Sequence, residues 1–438
     1  MTNACKYKVL VSTIPCWNDN TGSNTFSSLF EGYDLDKIAN LYLREEIPES
    51  PICKIYFRIS ENLLIRSLFN KKIKSGKLYL DNNIIADEQD TKNFIETQKR
   101  YKKHSKNRRW LLLYAREVLW KLGRWKSTEL DSFVDSFKPD VIIFAMEGYI
   151  HFNRINRYII KRSGAKAIGY FWDDNFTYKQ KPWNIGYRIY RFFQRRDLIK
   201  TAKCCEYFFA ISPKTKTECD AFFGINSMLL TKPVNIENDN WKNYELKTPI
   251  KMLYTGKLLI GRWQTIKLLN DAMSKINREK TIIELDIYTT SDIPQDNLNK
   301  LNKSIRILGN IPQSEVLNVQ QNADILLFIE DLIGKERKTA RLSFSTKLTD
   351  YFRSGKCIFA IGDNDLSSIE YLKEKEAAVI ATNTDEIESK LRLLCDNPHI
   401  IKEYGKKAFQ CGKYNHNQKD IKSVLFETIN KLGNRREG

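Results

Sequence analysis

Two segments of this 438-residue chain bring a glycine, a cation and the start of a helix together. In the first, the apolar run 251–254 leads into Thr255, Gly256 and Lys257, then Gly261, Arg262 and Trp263. A glycine directly after a strand lets an anion approach the backbone. The amides of the helix that follows favour negative charge there. Lys257 and Arg262 are then candidates to clamp a diphosphate. The same turn also reads as an ordinary strand-to-helix junction with two solvated cations. The second segment runs from Ser343 to Cys357. Ser345 or Thr346 is the expected cap of the helix in this segment. Lys347 sits in its first turn, where a cation opposes the helix dipole unless an anion lies alongside. Asp350 follows three residues later on the same face, suited to accept hydrogen bonds from ribose hydroxyls. Gly355 is placed to end the helix.

These segments sit in an alternation of short β-branched runs and longer amphipathic stretches, the pattern of βαβ units and a parallel sheet. Strands are expected at 8–14, 38–43, 52–58, 139–145, 165–171 and 207–211, with the stretch 60–130 mainly helical. After a polar linker at 235–249 the alternation resumes, with strands at 251–254, 282–288, 305–308, 325–328, 357–360 and 378–380. Helices are expected at 153–163, 263–276, 313–322, 345–353 and 419–432. The expectation is an α/β chain of two doubly wound, Rossmann-like domains, 1–238 and 250–412. A last helical segment, 413–438, is placed to cross back to the first domain. Ligands of such folds bind at the carboxyl ends of the strands, here a cleft between two sheets. At those ends stand Glu147-Gly148, with His151 close by, and Trp172-Asp173-Asp174. The first strand is followed by a polar loop holding Asn18, Asp19, Gly22, Ser23 and Asn24.

The C-terminal half resembles the retaining GT-B glycosyltransferases of family 4. Gly256, Lys257 and Arg262 match that family's diphosphate-holding G-R-x(4)-K pattern with the two cations exchanged. Asp350 falls on the second acid of the family's E-x(7)-E segment, and Ser354-Gly355-Lys356-Cys357-Ile358 on the run behind it. Leu342 occupies the place of the first acid. The strand Ile305-Arg306-Ile307-Leu308 and the loop Gly309-Asn310-Ile311-Pro312 match the stretch near the donor base. The resemblance covers about residues 250 to 400 well and the N-terminal half loosely. It implies a GT-B fold and transfer of a sugar from a nucleotide-sugar donor, UDP- or GDP-linked, to a saccharide acceptor. The product class it points to is surface polysaccharide such as capsule or O-antigen. The implied donor site is Gly22, Gly256, Lys257, Arg262, Gly309, Ile311, Ser345, Thr346, Lys347, Leu348 and Asp350. The implied acceptor side is Asn18, Asp19, Ser23, Asn24, Glu147 and His151. Asp173 would bind a sugar hydroxyl or assist proton transfer. Lys257, Arg262 and Lys347 would stabilise the leaving diphosphate, which itself takes the acceptor proton. No metal or other cofactor is expected. Asp363-Asn364-Asp365 reads as a loop after a strand rather than a manganese site.

The net charge of +19 calls for a polyanionic partner. Between Lys99 and Lys126 eleven lysines and arginines face one acid, Glu117, interleaved with Trp110, Trp120, Trp125 and leucines. A second basic, aromatic stretch runs from Tyr187 to Lys203. A basic helix with Trp and Leu suits an anionic membrane face, and so a lipid-linked acceptor. No apolar run has the roughly 20 residues that span a bilayer. The nine cysteines show no C-x-x-C or zinc spacing. A cytoplasmic protein, peripheral on the inner face of the plasma membrane, is the expectation. The rival is a basic nucleic-acid- or membrane-binding protein without catalysis. It leaves two doubly wound halves unexplained, and no nucleic-acid module is present. No G-x-G-x-x-G follows the first strand, which argues against a nicotinamide enzyme. Leu342 keeps open a sugar-binding homologue without activity.

Overall fold

The computed structural model describes residues 6–18, 25–48, 50–80, 110–180, 184–236 and 240–437. The strands are β1 (Val9–Thr13), β2 (Trp17–Asn18), β3 (Ile38–Tyr42), β4 (Ser50–Pro51), β5 (Ile55–Ile59), β6 (Gly76–Leu80), β7 (Val141–Ala145), β8 (Lys166–Phe171), β9 (Tyr207–Ala210) and β10 (Met228–Leu229). Eight of them form one sheet in the order β10-β9-β8-β7-β1-β3-β5-β6. All pairs are parallel except β5 with β6. A second sheet holds β11 (Ile250–Thr255), β12 (Ile283–Tyr288), β13 (Ile305–Gly309), β14 (Ile325–Ile329), β15 (Cys357–Ile361) and β16 (Val379–Ala381). Its order is β13-β12-β11-β14-β15-β16, parallel throughout. Central strands such as β1, β7, β14 and β15 are buried at every position. Helices cover both faces, which is why these strands read as unbroken apolar runs rather than alternating ones.

The helices are α1 (Thr25–Phe30), α2 (Glu61–Phe69), α3 (Trp110–Leu122), α4 (Thr128–Phe137), α5 (Ile150–Ser163), α6 (Ile185–Ala202), α7 (Pro213–Phe223), α8 (Arg262–Ile276), α9 (Gln295–Leu298), α10 (Gln313–Gln321), α11 (Lys347–Ser354), α12 (Ser367–Glu374), α13 (Thr384–Asp396), α14 (Pro398–Asn415) and α15 (Gln418–Glu437). Helix α15 returns to the first sheet's side. Its Phe426 ring packs on Tyr33 at 5.2 Å and its Lys422 donates to the Glu31 carbonyl at 2.6 Å.

Two expectations change. The stretch 60–130 is not all helical: β6 extends the first sheet antiparallel to β5. Its period-2 signal is only five residues long, and Gly76 permits close packing on the Phe57 ring. Nor does a hydroxyl cap α11. Thr346 is already helical at φ −63° and ψ −19°, so its side chain cannot reach back to the first-turn amides. The Ser345 amide instead donates to Ser368 Oγ at 3.0 Å. Gly355 ends α11 in the left-handed region at φ 65°, as its position predicts.

The two domains are joined by more than the linker. Arg341, just before α11, is fully buried against Asp174 at 3.2 Å and reaches Glu218. Ser212 meets Ser367 at 2.6 Å, and Lys214 bridges to Asp365 at 2.9 Å and Glu370 at 2.8 Å.

Candidate active site

Lys347 is the first residue of α11, and its side chain reaches the carboxyl end of β11. Its Nζ donates to Tyr254 Oη at 3.2 Å and lies 4.6 Å from the Tyr254 ring centroid. The amine also lies hard against Gly256, where a Cβ would overlap it. Gly256 has φ +138°, so both its backbone and the space beside it call for glycine. Burial, with the Arg262 charge adding to it, pulls the Lys347 pKa down to about 7, against a weaker opposing effect of Glu330. Among the described residues its only polar side-chain contact is the Tyr254 phenol.

Arg262, the first residue of α8, lies close enough for its charge to act on Lys347. Its Nε donates to Glu330 Oε2 at 3.0 Å and to the Ile329 carbonyl at 3.1 Å, and its Nη2 donates to Glu330 Oε1 at 2.9 Å. Glu330 follows β14 directly and is buried. The expected diphosphate clamp is thereby narrowed to the Nη1 edge of Arg262. One fork of Arg262 is filled by a carboxylate, whereas Lys347 has no ion pair among the described residues. Lys257 is exposed, and what it adds to the site is its carbonyl, which accepts the Tyr254 hydroxyl at 2.9 Å. Asp350 is one turn along α11 from Lys347 and half-buried. Burial lifts its pKa against the charges of Lys232 and Arg353. Leu348 is buried in the core. It holds α11 down through packing and offers no surface to a ligand except its backbone. Ser345 and Thr346 are half-buried at the same helix start. Gly309, with φ +76°, ends the edge strand β13, two strands from β11, and Ile311 follows it half-buried.

On the first sheet, Glu147 and Asp173 stand just past the ends of the neighbouring strands β7 and β8. Asp173 Oδ1 accepts from Ser343 Oγ of the other domain. Glu147 Oε1 accepts from Trp172 Nε1 at 3.2 Å. Burial pushes the Glu147 pKa up to about 7, and the neighbouring Asp173 carboxylate pushes the same way. Burial also lifts Asp173, while the Ser343 hydroxyl partly restrains it. Two adjacent carboxyls with raised pKa values can hold a proton near neutral pH. Thr13, which ends β1, is β-branched yet has φ +66°, and is held there by Asn156 Nδ2 at 3.2 Å from its hydroxyl. A backbone outlier pinned this way at a strand end is the kind of strain that collects at functional sites.

His151 does not face this gap. It is buried at 1% exposure, stacked on Trp120 at 4.6 Å, with Nδ1 3.0 Å from Glu117. Burial lowers its pKa against the pull of Glu117. Of its two readings, packing or contact with an acceptor, the acceptor contact is thus corrected: it is a packing residue. Trp120 and Trp125 are buried too, so they cannot meet a membrane. Asp19, Gly22, Ser23, Asn24 and the cations 99–109 lie outside the described residues, as do the side chains of Asn18 and Trp110. Asp365 is committed to Lys214, and Asp363 Oδ1 accepts the Asp365 amide at 2.8 Å, a loop closing on itself.

Comparison with solved structures decides the architecture. HepE from Anabaena, in complex with UDP-glucose, matches with a TM-score of 0.57 and 10% identity over 97% of this chain and 100% of HepE. The α,α-trehalose 6-phosphate synthase from Burkholderia multivorans matches with a TM-score of 0.55 and 8% identity over 99% of this chain and 100% of that one. The fold is GT-B. At such identities the likeness is one of fold alone. TarM from S. aureus, at a TM-score of 0.49 and 10% identity, is matched over 73% of this chain, which spans 59% of TarM. No family model and no curated protein matches the sequence.

Within this GT-B fold, several site residues escaped the sequence. Tyr254, the partner of Lys347, reads as one more residue of a buried strand. Glu330 carried a usable signal, an acid directly after an apolar strand. Arg341 and Ser343 fall in a loop without periodicity. Leu342, where the resemblance expects an acid, is fully buried at the domain boundary, and its carbonyl accepts from Thr215 Oγ1 at 2.7 Å. A carboxylate there would be buried among apolar side chains.

Proposed function

We propose that this protein is a glycosyltransferase, moving a sugar from a nucleoside-diphosphate donor to a saccharide acceptor with retention and without a metal. The observation that carries the reading is Lys347, a half-buried amine with no ion pair among the described residues, held against the Gly256 backbone at a strand's carboxyl end. A diphosphate seated there supplies the missing charge. Lys347, with the Nη1 edge of Arg262, then stabilises the charge that grows on the leaving phosphate. The Thr346 and Lys347 amides at the α11 start add to the same field. Asp350 is placed for ribose hydroxyls, and Gly309 and Ile311 for the base. Glu147 and Asp173 face this cradle from the other sheet, where they hydrogen-bond the sugar or acceptor and hold or move a proton. The donor we propose is UDP- or GDP-linked and carries a hexosyl or N-acetylhexosaminyl group, and the UDP-glucose bound to the similarly folded HepE puts UDP first among the nucleotides to test. A lipid-linked acceptor in surface-polysaccharide synthesis, at the cytoplasmic membrane face, fits the basic surface of the first domain.

The deciding experiment is thermal unfolding with UDP, GDP, ADP, CMP and dTDP in the presence of a chelator. One nucleoside diphosphate is expected to stabilise the protein, and Lys347→Ala to abolish that shift. If no nucleotide shifts the transition, the donor site is wrong. Hydrolysis of a nucleotide-sugar panel then identifies the sugar.

A further inference from the structure

Helices α3 and α6 pack side by side on the first domain, with Tyr114 and Tyr190 rings 5.3 Å apart. Each presents an apolar stripe to solvent. On α6 these are Ile185 at 78% exposure, Ile189 at 49%, Phe192 at 47% and Phe193 at 48%. On α3 they are Val118 at 53% and Leu122 at 67%. The spacing of three and four places each set on one helix face. Between and beside them stand exposed Arg196, Lys200 and Lys121. Each helix has one acid, and both acids are buried and paired, Glu117 with His151 and Asp197 with Arg157. The outward faces therefore carry large apolar groups and positive charge, and no carboxylate.

We propose that this α3–α6 face is the surface on which the protein docks to an anionic lipid bilayer. Large apolar side chains among cations on a packed helix pair suit the boundary between headgroups and acyl chains. A duplex held through its phosphates is met by cations and polar groups rather than by a stripe of exposed Ile, Val and Leu. A second copy of this chain, itself at +19, brings like charge to the face. All of these residues but Ile185 lie within the two basic stretches the sequence points to, but Trp120 and Trp125 take no part, because they are buried in the fold.

The same α6 also touches the candidate active site with its inner face. Gln194 donates to the Gly148 carbonyl beside Glu147. Arg191 donates to Gln180 Oε1 at 2.9 Å, and Gln180 donates across the gap to the Thr339 carbonyl at 2.9 Å. One helix thus faces lipid outward and the interdomain gap inward. That places a lipid-linked acceptor's saccharide at Glu147 and Asp173, a placement that rests on the glycosyl-transfer reading, whereas the docking itself does not.

The test is co-sedimentation of the full chain with phosphatidylcholine vesicles, with and without phosphatidylglycerol, over a salt series. Binding to the phosphatidylglycerol vesicles alone, weakened by salt, is expected. The exposed double variant Ile189→Glu with Phe193→Glu is expected to lower it by at least about tenfold, and Arg196→Glu with Lys200→Glu to lower it likewise. Both variants should keep the wild-type melting temperature and nucleotide shift, which shows that the fold and donor site are intact. Equal binding of wild type and both variants overturns the proposal. So does no binding to either vesicle, or a dimer in light scattering that the Glu variants dissolve. A nucleotide shift without vesicle binding sinks the docking face and spares the donor site, and the reverse result does the opposite.

Discussion

Arg341 and Asp174 meet across the domain boundary at 3.2 Å with neither side chain exposed to solvent. The guanidinium also holds Glu218 of α7, and its loop runs on through Ser343, which donates to Asp173, to Lys347 at the head of α11. One buried cation therefore ties the loop that carries the cradle lysine to the domain that carries the carboxyl pair.

Arg341→Ala strands Asp174 as a buried charge, an effect of about 3–5 kcal/mol in such pairs. Adding Asp174→Asn should recover part of that loss, so the double variant is expected to be more stable than the sum of the two single effects. Denaturant unfolding of the four proteins checks it. Simple additivity would show that the two residues are not coupled.

Lys347 is held mostly neutral above pH 7 in the empty protein, since burial lowers its pKa to about 7. An unfolded lysine keeps its proton far higher, so between those two values the unfolded state binds more protons, and stability rises with pH. Lys347→Met removes the buried charge. It is expected to raise the melting temperature of the nucleotide-free protein below pH 7 while abolishing the nucleotide shift. In the wild type, nucleotide affinity should be full below pH 7 and fall as pH rises above it, because the diphosphate binds the protonated amine. Calorimetric titrations at pH 6, 7, 8 and 9 report this, and a flat profile removes Lys347 from the diphosphate site.

Glu147 titrates in the opposite sense. With its pKa pushed up to about 7, the folded state holds more protons than the unfolded state between the ordinary carboxyl value and 7. Stability contributed by the neutral form is therefore present at low pH and lost as pH rises through 7. Glu147→Gln is expected to unfold at a higher temperature than wild type at pH 8 and at the same temperature near pH 4. It should lower kcat more than the donor KM, since Glu147 lies across the gap from the donor cradle. An unchanged kcat at pH 7 would remove it from the reaction.

Gly256→Ala puts a methyl group where the Lys347 amine sits, at a φ of +138°. A loss of about 1–3 kcal/mol in stability is expected from the backbone alone. Nucleotide affinity should fall as far as it does in Lys347→Ala. Isothermal titration of the two variants side by side makes the comparison, and normal affinity in Gly256→Ala contradicts the cradle geometry.

The pattern along the chain was enough to place most of the strands, because burying a parallel sheet under helices leaves an apolar run at each strand. The edge strand β6 escaped it, being short and half-exposed. The glycine and cation positions at β11 and α11 were legible too, because backbone conformation at a strand-to-helix turn is a local matter. What each charge does was not legible. Arg262 and Glu330 pair across 68 positions, and Arg341 and Asp174 across 167. Trp120 stacks on His151 inside the domain although its basic segment reads as an interfacial one. A charge is neutralised by whatever lies within a few ångströms of it, and a ring is buried by whatever packs over it. Residue order therefore determined which cations were available, and only the folded chain decided that Arg262 would be answered by an acid and that Lys347 would have no ion pair among the described residues.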